Sequence, residues 1–180
     1  MKLNADNSAH LAIDLQERLL PAMAAPGAVI QNVERLIKGA RFLGVPQLAS
    51  VHYPRGLGPL VTHLEELLRA DEAMEKIAFS CMGDDGIARR VRELGRLQVI
   101  LSGIEAHICV LQTALDLKAL GYHVFVVSDA VSSRTEASKA AALDRLRGED
   151  VAIVTTEMVL FEWLGKAGSP EFKKISALVK

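Results

Sequence analysis

Apolar residues in this chain fall in short, nearly continuous runs, separated by stretches of helical periodicity. Leu11-Ala12-Ile13 is such a run and ends at Asp14. Val45–Val51, Ala73–Phe79, Val99–Ser102, Tyr122–Val127 and Val151–Val154 are the others. Runs of this length without polar alternation read as strands covered on both faces, as in a parallel sheet. Between them, Ala28–Leu43 carries Val29, Val33, Leu36, Ile37 and Ala40 at helical spacing and stops at Gly44. Helices are also predicted over Leu60–Leu68, from Gly83-Asp84-Asp85-Gly86 to Leu94, and over Val110–Leu120, Glu136–Leu146, Met158–Leu164 and Phe172–Val179. A carboxylate of the Asp84-Asp85 pair is placed to cap its helix. Ser128-Asp129 reads as the end of the fifth strand. Six strands alternating with helices predict an α/β fold, a three-layer α/β/α sandwich around a six-stranded, mainly parallel, doubly wound sheet. No linker, repeat or low-complexity stretch interrupts the pattern, so residues 1–180 read as a single domain.

Composition narrows the function classes. Half of the residues are hydrophobic and only 4% are aromatic, so the core is aliphatic. The net charge is −1 and no basic stripe exists, which argues against a nucleic-acid partner. No apolar run approaches the ~20 residues of a membrane span. Met1–Ser8 is polar and lacks the apolar centre of a secretory signal. Two cysteines, Cys81 and Cys109, make no disulfide framework and suit a reduced, cytoplasmic setting. No Gly-x-Gly-x-x-Gly or Walker-type turn supports a nucleotide cofactor.

Candidate chemistry lies where polar residues end apolar strands. Asp14 follows the first strand, Lys76 sits late in the third, and Cys109 lies just past the fourth. In a parallel sheet all three can share the carboxyl edge, where open α/β sheets bind ligands. Cys109 opens a helix, whose free N–H groups and dipole favour a thiolate. Asp14 can serve such a nucleophile as base and then as acid. Lys76 would hold that carboxylate, and backbone N–H groups before Cys109 could stabilise an oxyanion. Plainer readings stand beside these. Asp14 can be a helix cap, Lys76 can snorkel to solvent, and Cys109 can be a small core hydrophobe. Cys81 reads as structural. His107 is either a base beside Cys109 or packing at the helix start. Glu105 either meets a cationic substrate group or bonds to backbone. His10, His63 and His123 read as surface or loop residues. Trp163, in the apolar run from Met158, is either an interface or a core residue.

Asp14-Leu15-Gln16, Lys76 with Phe79-Ser80 behind it, and Ser102–Val110 resemble the isochorismatase-like cysteine hydrolases. Gly103–Asp116, Ser128–Arg134 and Phe161–Lys180 look especially like the compact isochorismatase domain-containing proteins. The resemblance extends over nearly the whole chain. It implies a triad of Cys109 as nucleophile, Asp14 as base and acid, and Lys76 in support. It implies a cis peptide at Ile104–Glu105 and oxyanion donors at the N–H groups of Glu105 and Cys109. Gln16 matches a cleft-lining position, with Tyr53 and Phe79 as further candidate substrate contacts. No cofactor is implied. The implied partners are a small-molecule substrate and further copies of the chain, as a dimer or larger homo-oligomer. One departure matters. Nicotinamidases of this superfamily hold a metal through an Asp-Trp-His-Pro run, and the matching run here is Val51-His52-Tyr53-Pro54. One imidazole does not make a metal site, so none is expected. The expected activity is metal-independent hydrolysis of a small amide-like or related acyl bond through a Cys109 thioester. A redox-sensing thiol protein and a non-catalytic oligomeric scaffold are the other readings of the same residues.

Overall fold

The computed structural model describes all residues, Met1–Lys180. One sheet contains β1 (Ser8–Ile13), β2 (Gln47–His52), β3 (Ala73–Lys76), β4 (Gln98–Ile104), β5 (His123–Ser132) and β6 (Ala152–Val154). Its order is β3-β2-β1-β4-β5-β6 and every neighbouring pair is parallel. The chain starts at the centre, winds outward through β2 and β3, then returns to β4 beside β1 and winds out the other way. The order therefore reverses between β1 and β4, and a crevice forms at their carboxyl ends.

The helices are α1 (Pro26–Phe42), single turns α2 (Pro54–Leu57) and α3 (Thr62–Glu65), α4 (Asp85–Glu93), α5 (Leu111–Ala119), α6 (Glu136–Gly148), α7 (Thr156–Leu164) and α8 (Pro170–Leu178). α1, α7 and α8 pack on one face of the sheet, and α4, α5 and α6 on the other. Val29, Val33, Leu36, Ile37 and Ala40 are the buried stripe of α1, as their spacing predicts. Along β1, Ala12 faces the α1 layer while Leu11 and Ile13 face the α5 layer. Every residue of β1 and β4 is buried, which is why these strands read as apolar runs.

Several sequence expectations are corrected. The third strand ends at Lys76 rather than Phe79, because the Ala78 and Phe79 carbonyls turn back to accept the Lys76 ammonium. The fifth strand does not stop at Ser128-Asp129 but runs to Ser132. Ser128 donates to the Val154 carbonyl and Asp129 accepts from Thr156, so sheet neighbours satisfy polar groups that otherwise signal a turn. The helix predicted over Leu60–Leu68 shrinks to α3, and Leu60 bridges to Gln16 instead. His10 is buried within β1, its Nε2 at 2.8 Å from the Ser102 hydroxyl, whereas His63 and His123 are exposed. Trp163 is a core residue of the α1 layer, and the exposed apolar residues of α7 are Met158 and Phe161.

Candidate active site

The site grows from the ends of three strands. Asp14 follows β1 with φ 53°, a left-handed conformation that aspartate tolerates better than most residues. Its carboxylate is fully buried. Oδ2 accepts from Lys76 Nζ at 2.7 Å, and Oδ1 accepts from the Ser50 hydroxyl of β2 at 2.6 Å. Lys76 belongs to the edge strand β3, two strands away from β1, and only a long side chain can pass the end of β2 to reach Asp14. Its ammonium also donates to the carbonyls of Ala78 at 3.2 Å and Phe79 at 3.0 Å. All three ammonium protons are therefore placed, and the side chain does not snorkel: both partners of the pair are 0% exposed. A buried ion pair persists when extra hydrogen bonds offset its desolvation, and this pair has them on both sides.

Cys109 arrives from β4. Gly103, at φ 107°, passes so close to the Ile13 backbone that a Cβ would overlap the Ile13 carbonyl. The Ile104–Glu105 peptide is cis. The chain then winds through one π turn, Ala106–Val110, before α5 begins. The Glu105 carbonyl accepts the N–H groups of Ile108 at 3.1 Å and Val110 at 3.2 Å, and not that of Cys109 between them. The N–H of Glu105 makes no hydrogen bond within the chain. π turns of this kind concentrate at functional sites.

Cys109 is 5% exposed. Burial pushes its thiol up to about 12; the charge of the nearby Asp14 carboxylate adds to the rise, against the opposing charge of Lys76. The expectation of a resting thiolate is thus corrected. The sulfur is taken out of water, and the carboxylate that could deprotonate it also repels its charge. Cys81 is fully buried, its N–H donating to Thr113 Oγ1 at 2.9 Å, and burial pushes its thiol up to about 11.

The surrounding residues sort differently from their sequence reading. Gln16 does not line an open cleft. Its carboxamide is buried and donates to the carbonyls of His52 at 2.9 Å and Gly58 at 2.7 Å, while accepting from His52 N–H at 2.8 Å. It ties the segment after β1 to the end of β2. Tyr53 and Phe79 are about half exposed, at 50% and 52%, at the carboxyl edge of β2 and just after β3. Tyr53 N–H donates to the Lys76 carbonyl, and the Phe79 ring lies 5.4 Å from that of His52. Burial lowers the His52 ring below its usual range. Glu105 meets a cation of this chain, Arg134 Nε at 3.0 Å, and His107 Nδ1 lies 2.9 Å from the Ser133 hydroxyl. Two residues that sequence reasoning missed, Ser50 and Arg134, hold the site together. Ser50 was visible as a hydroxyl inside an otherwise apolar run. Arg134 carried no such signal, because its partner lies one strand away. No three His, Cys, Asp or Glu side chains are grouped as metal ligands.

A sequence model of the isochorismatase domain matches residues 8–158, and these include every residue just described. The chain belongs to the isochorismatase domain family. Isochorismatase domain-containing protein 1 of Salmo salar is 38% identical over 167 residues, or 93% of this chain and 59% of that protein. This isochorismatase domain thus spans less than two thirds of that relative. The structure of the MAR1 ribonuclease from Caenorhabditis elegans matches with TM-score 0.93 at 34% identity, covering 99% of this chain and 92% of that one. The YcaC gene product of Escherichia coli, described as an octameric hydrolase of unknown specificity, has TM-score 0.93 at 23% identity over 99% of this chain and 90% of that one. That last likeness is one of fold.

Proposed function

We propose that this chain is a cysteine hydrolase that cleaves a small amide-like or related acyl bond, with Cys109 as nucleophile. The carrying observation is the fully buried Asp14 carboxylate at the strand edge beside Cys109, with Lys76 and Ser50 binding its two oxygens. A thiol held up to about 12 is a poor free nucleophile, so its proton leaves as the sulfur attacks. Asp14 receives that proton while Sγ bonds to the substrate carbonyl carbon. The oxyanion rests on the N–H groups of Glu105 and Cys109. Collapse breaks the carbon–nitrogen bond, and the leaving amine takes the proton from Asp14. Water then attacks the thioester, giving its proton to Asp14 and returning Cys109 as thiol and the substrate acyl group as acid. Lys76 keeps Asp14 oriented throughout. No step calls on a metal, because the run Val51-His52-Tyr53-Pro54 at the end of β2 offers one imidazole and no carboxylate.

The redox reading fits less well, since peroxide-sensing cysteines are low-pKa and accessible, and this one is neither. The scaffold reading accommodates a raised thiol but gives no account of the Asp14 contacts. A homo-oligomer is part of the proposal, supported by the exposed Met158 and Phe161 of α7 and by Ile77, 70% exposed, beside Phe79. The test uses p-nitrophenyl acetate and a panel of small amides and carbamates, with intact-mass detection after acid quench. An acyl adduct on Cys109, absent in Cys109→Ser and slowed at least tenfold in Asp14→Asn, is the expected result. Parent-level turnover in either variant overturns it. A labelled RNA oligonucleotide in the same panel tests whether the activity named for the nematode relative extends here.

A further inference from the structure

A cleft of about 400 Å³ lies at the amino edge of the sheet, opposite the triad. It is bounded by the C-terminal ends of α1 and α4, the entrance to β2 and the loop into β3. Gln47 opens β2 here and His52 ends it beside Lys76, so roughly 17 Å of extended strand separates the two sites. The wall carries four guanidinium groups against three carboxylates. Arg41 is bound to Glu72 by two hydrogen bonds of 2.8 and 2.6 Å, and Arg90 pairs with Asp71 at 2.9 Å and, more loosely, with Glu93 at 3.9 Å. All three carboxylates are thereby engaged. Arg69 and Arg96 make no ion pair.

Helix-end complementarity explains Arg41 and Arg90, which sit in the last turns of α1 and α4. It does not explain Arg69, which lies on the loop into β3. Two polar groups beside these arginines also lack partners. Arg96 Nε is buried without an acceptor, and neither amide atom of Gln47, 2% exposed, has a hydrogen-bond partner. Its register partner across the sheet is His10, and the carboxamide lies against that ring without reaching hydrogen-bond geometry to Nδ1, so it is free to turn from His10 toward a ligand. A buried donor left unsatisfied is costly, and native proteins retain few. Unpaired guanidinium groups beside an unpartnered carboxamide match a ligand that brings oxyanions and a hydrogen-bonding group together.

We infer that this cleft is a second binding site, separate from the triad, for a small molecule bearing a carboxylate or phosphate group. Arg69 and Arg96 bind the oxyanion and the Gln47 carboxamide shifts to meet the adjacent polar group. The test titrates inorganic phosphate and citrate into the full chain by calorimetry, with thermal unfolding in parallel. The parent and Cys109→Ser bind at least one probe saturably and unfold at higher temperature with it. Arg69→Gln, an exposed position that leaves the fold intact, and Arg96→Gln each weaken binding about tenfold. Arg145→Gln, on the exposed face of α6, leaves it unchanged. Absence of saturable binding by either probe overturns the inference. So does binding that survives both arginine changes, or that Arg145→Gln weakens equally.

Discussion

At the scale of single residues, Asp14 and Lys76 depend on each other. Neither side chain reaches water, so removing one leaves an uncompensated buried charge. Lys76→Met is expected to lower stability in urea by about 3–5 kcal/mol, and the double change Asp14→Asn with Lys76→Met by less than the single. Asp14 also acts on Cys109 in two opposing ways. Its charge raises the thiol, so Asp14→Asn is expected to lower the Cys109 pKa and speed iodoacetamide alkylation at pH 8. In the proposed mechanism the same change also removes the base, so acyl-enzyme formation is expected to fall. An Asp14→Asn protein slower in both reactions, or faster in both, contradicts this division. His10 gives a separate pH dependence. Burial holds its ring down to about 4, against 6.5 when unfolded. Between these values the unfolded chain binds a proton that the folded chain refuses, so stability is full above pH 6.5 and declines as the pH falls toward 4. The expected loss is about 3 kcal/mol, read from urea unfolding at pH 7 and pH 4 in the parent and flattened in His10→Gln.

At the scale of elements, the sheet was legible because its central strands β1 and β4 are buried on both faces and so stay mostly apolar. All six appear where apolar runs predict them, with Asp14 and Lys76 at strand ends. What stayed hidden was decided by neighbours distant in sequence. The polar end of β5 pairs Val131 with Gly103 and Ser132 with Ile104, beyond a register shift in which β5 carries extra residues against Leu101–Gly103 of β4. The π turn holding Cys109 has no sequence signature that separates it from the start of α5. His10 is buried in the central strand β1, where Ser102 of β4 meets its ring, and nothing local says so. Turn and cap chemistry was more readable. Asp84 accepts from the N–H groups of Gly86 and Ile87, and Asp84→Ala is expected to cost about 1 kcal/mol by thermal or urea unfolding. Gly103→Ala collides with backbone rather than with a movable side chain. Soluble, fully folded Gly103→Ala protein in circular dichroism and size-exclusion runs would contradict that close approach.

At the scale of the whole molecule, the doubly wound order separates the two proposed sites onto opposite edges of one sheet. The carboxyl edge gathers Asp14, Lys76 and Cys109 at the reversal between β1 and β4, and the amino edge gathers unpaired arginines. The proposed self-association would cover the exposed Met158 and Phe161, so Phe161→Glu is expected to shift sedimentation toward smaller species without changing the circular dichroism spectrum. The central strands that support the site are bonded on both sides, whereas β3 and β6 lie at the edges with four and three residues. Cys81 lies behind this arrangement with no exposed surface and a thiol that stays protonated at neutral pH. A reagent can reach it only when the central layers part, so its labelling rate in native buffer is an internal clock for global opening. Every variant named above therefore carries its own stopwatch, one that times how long the native sheet stays closed.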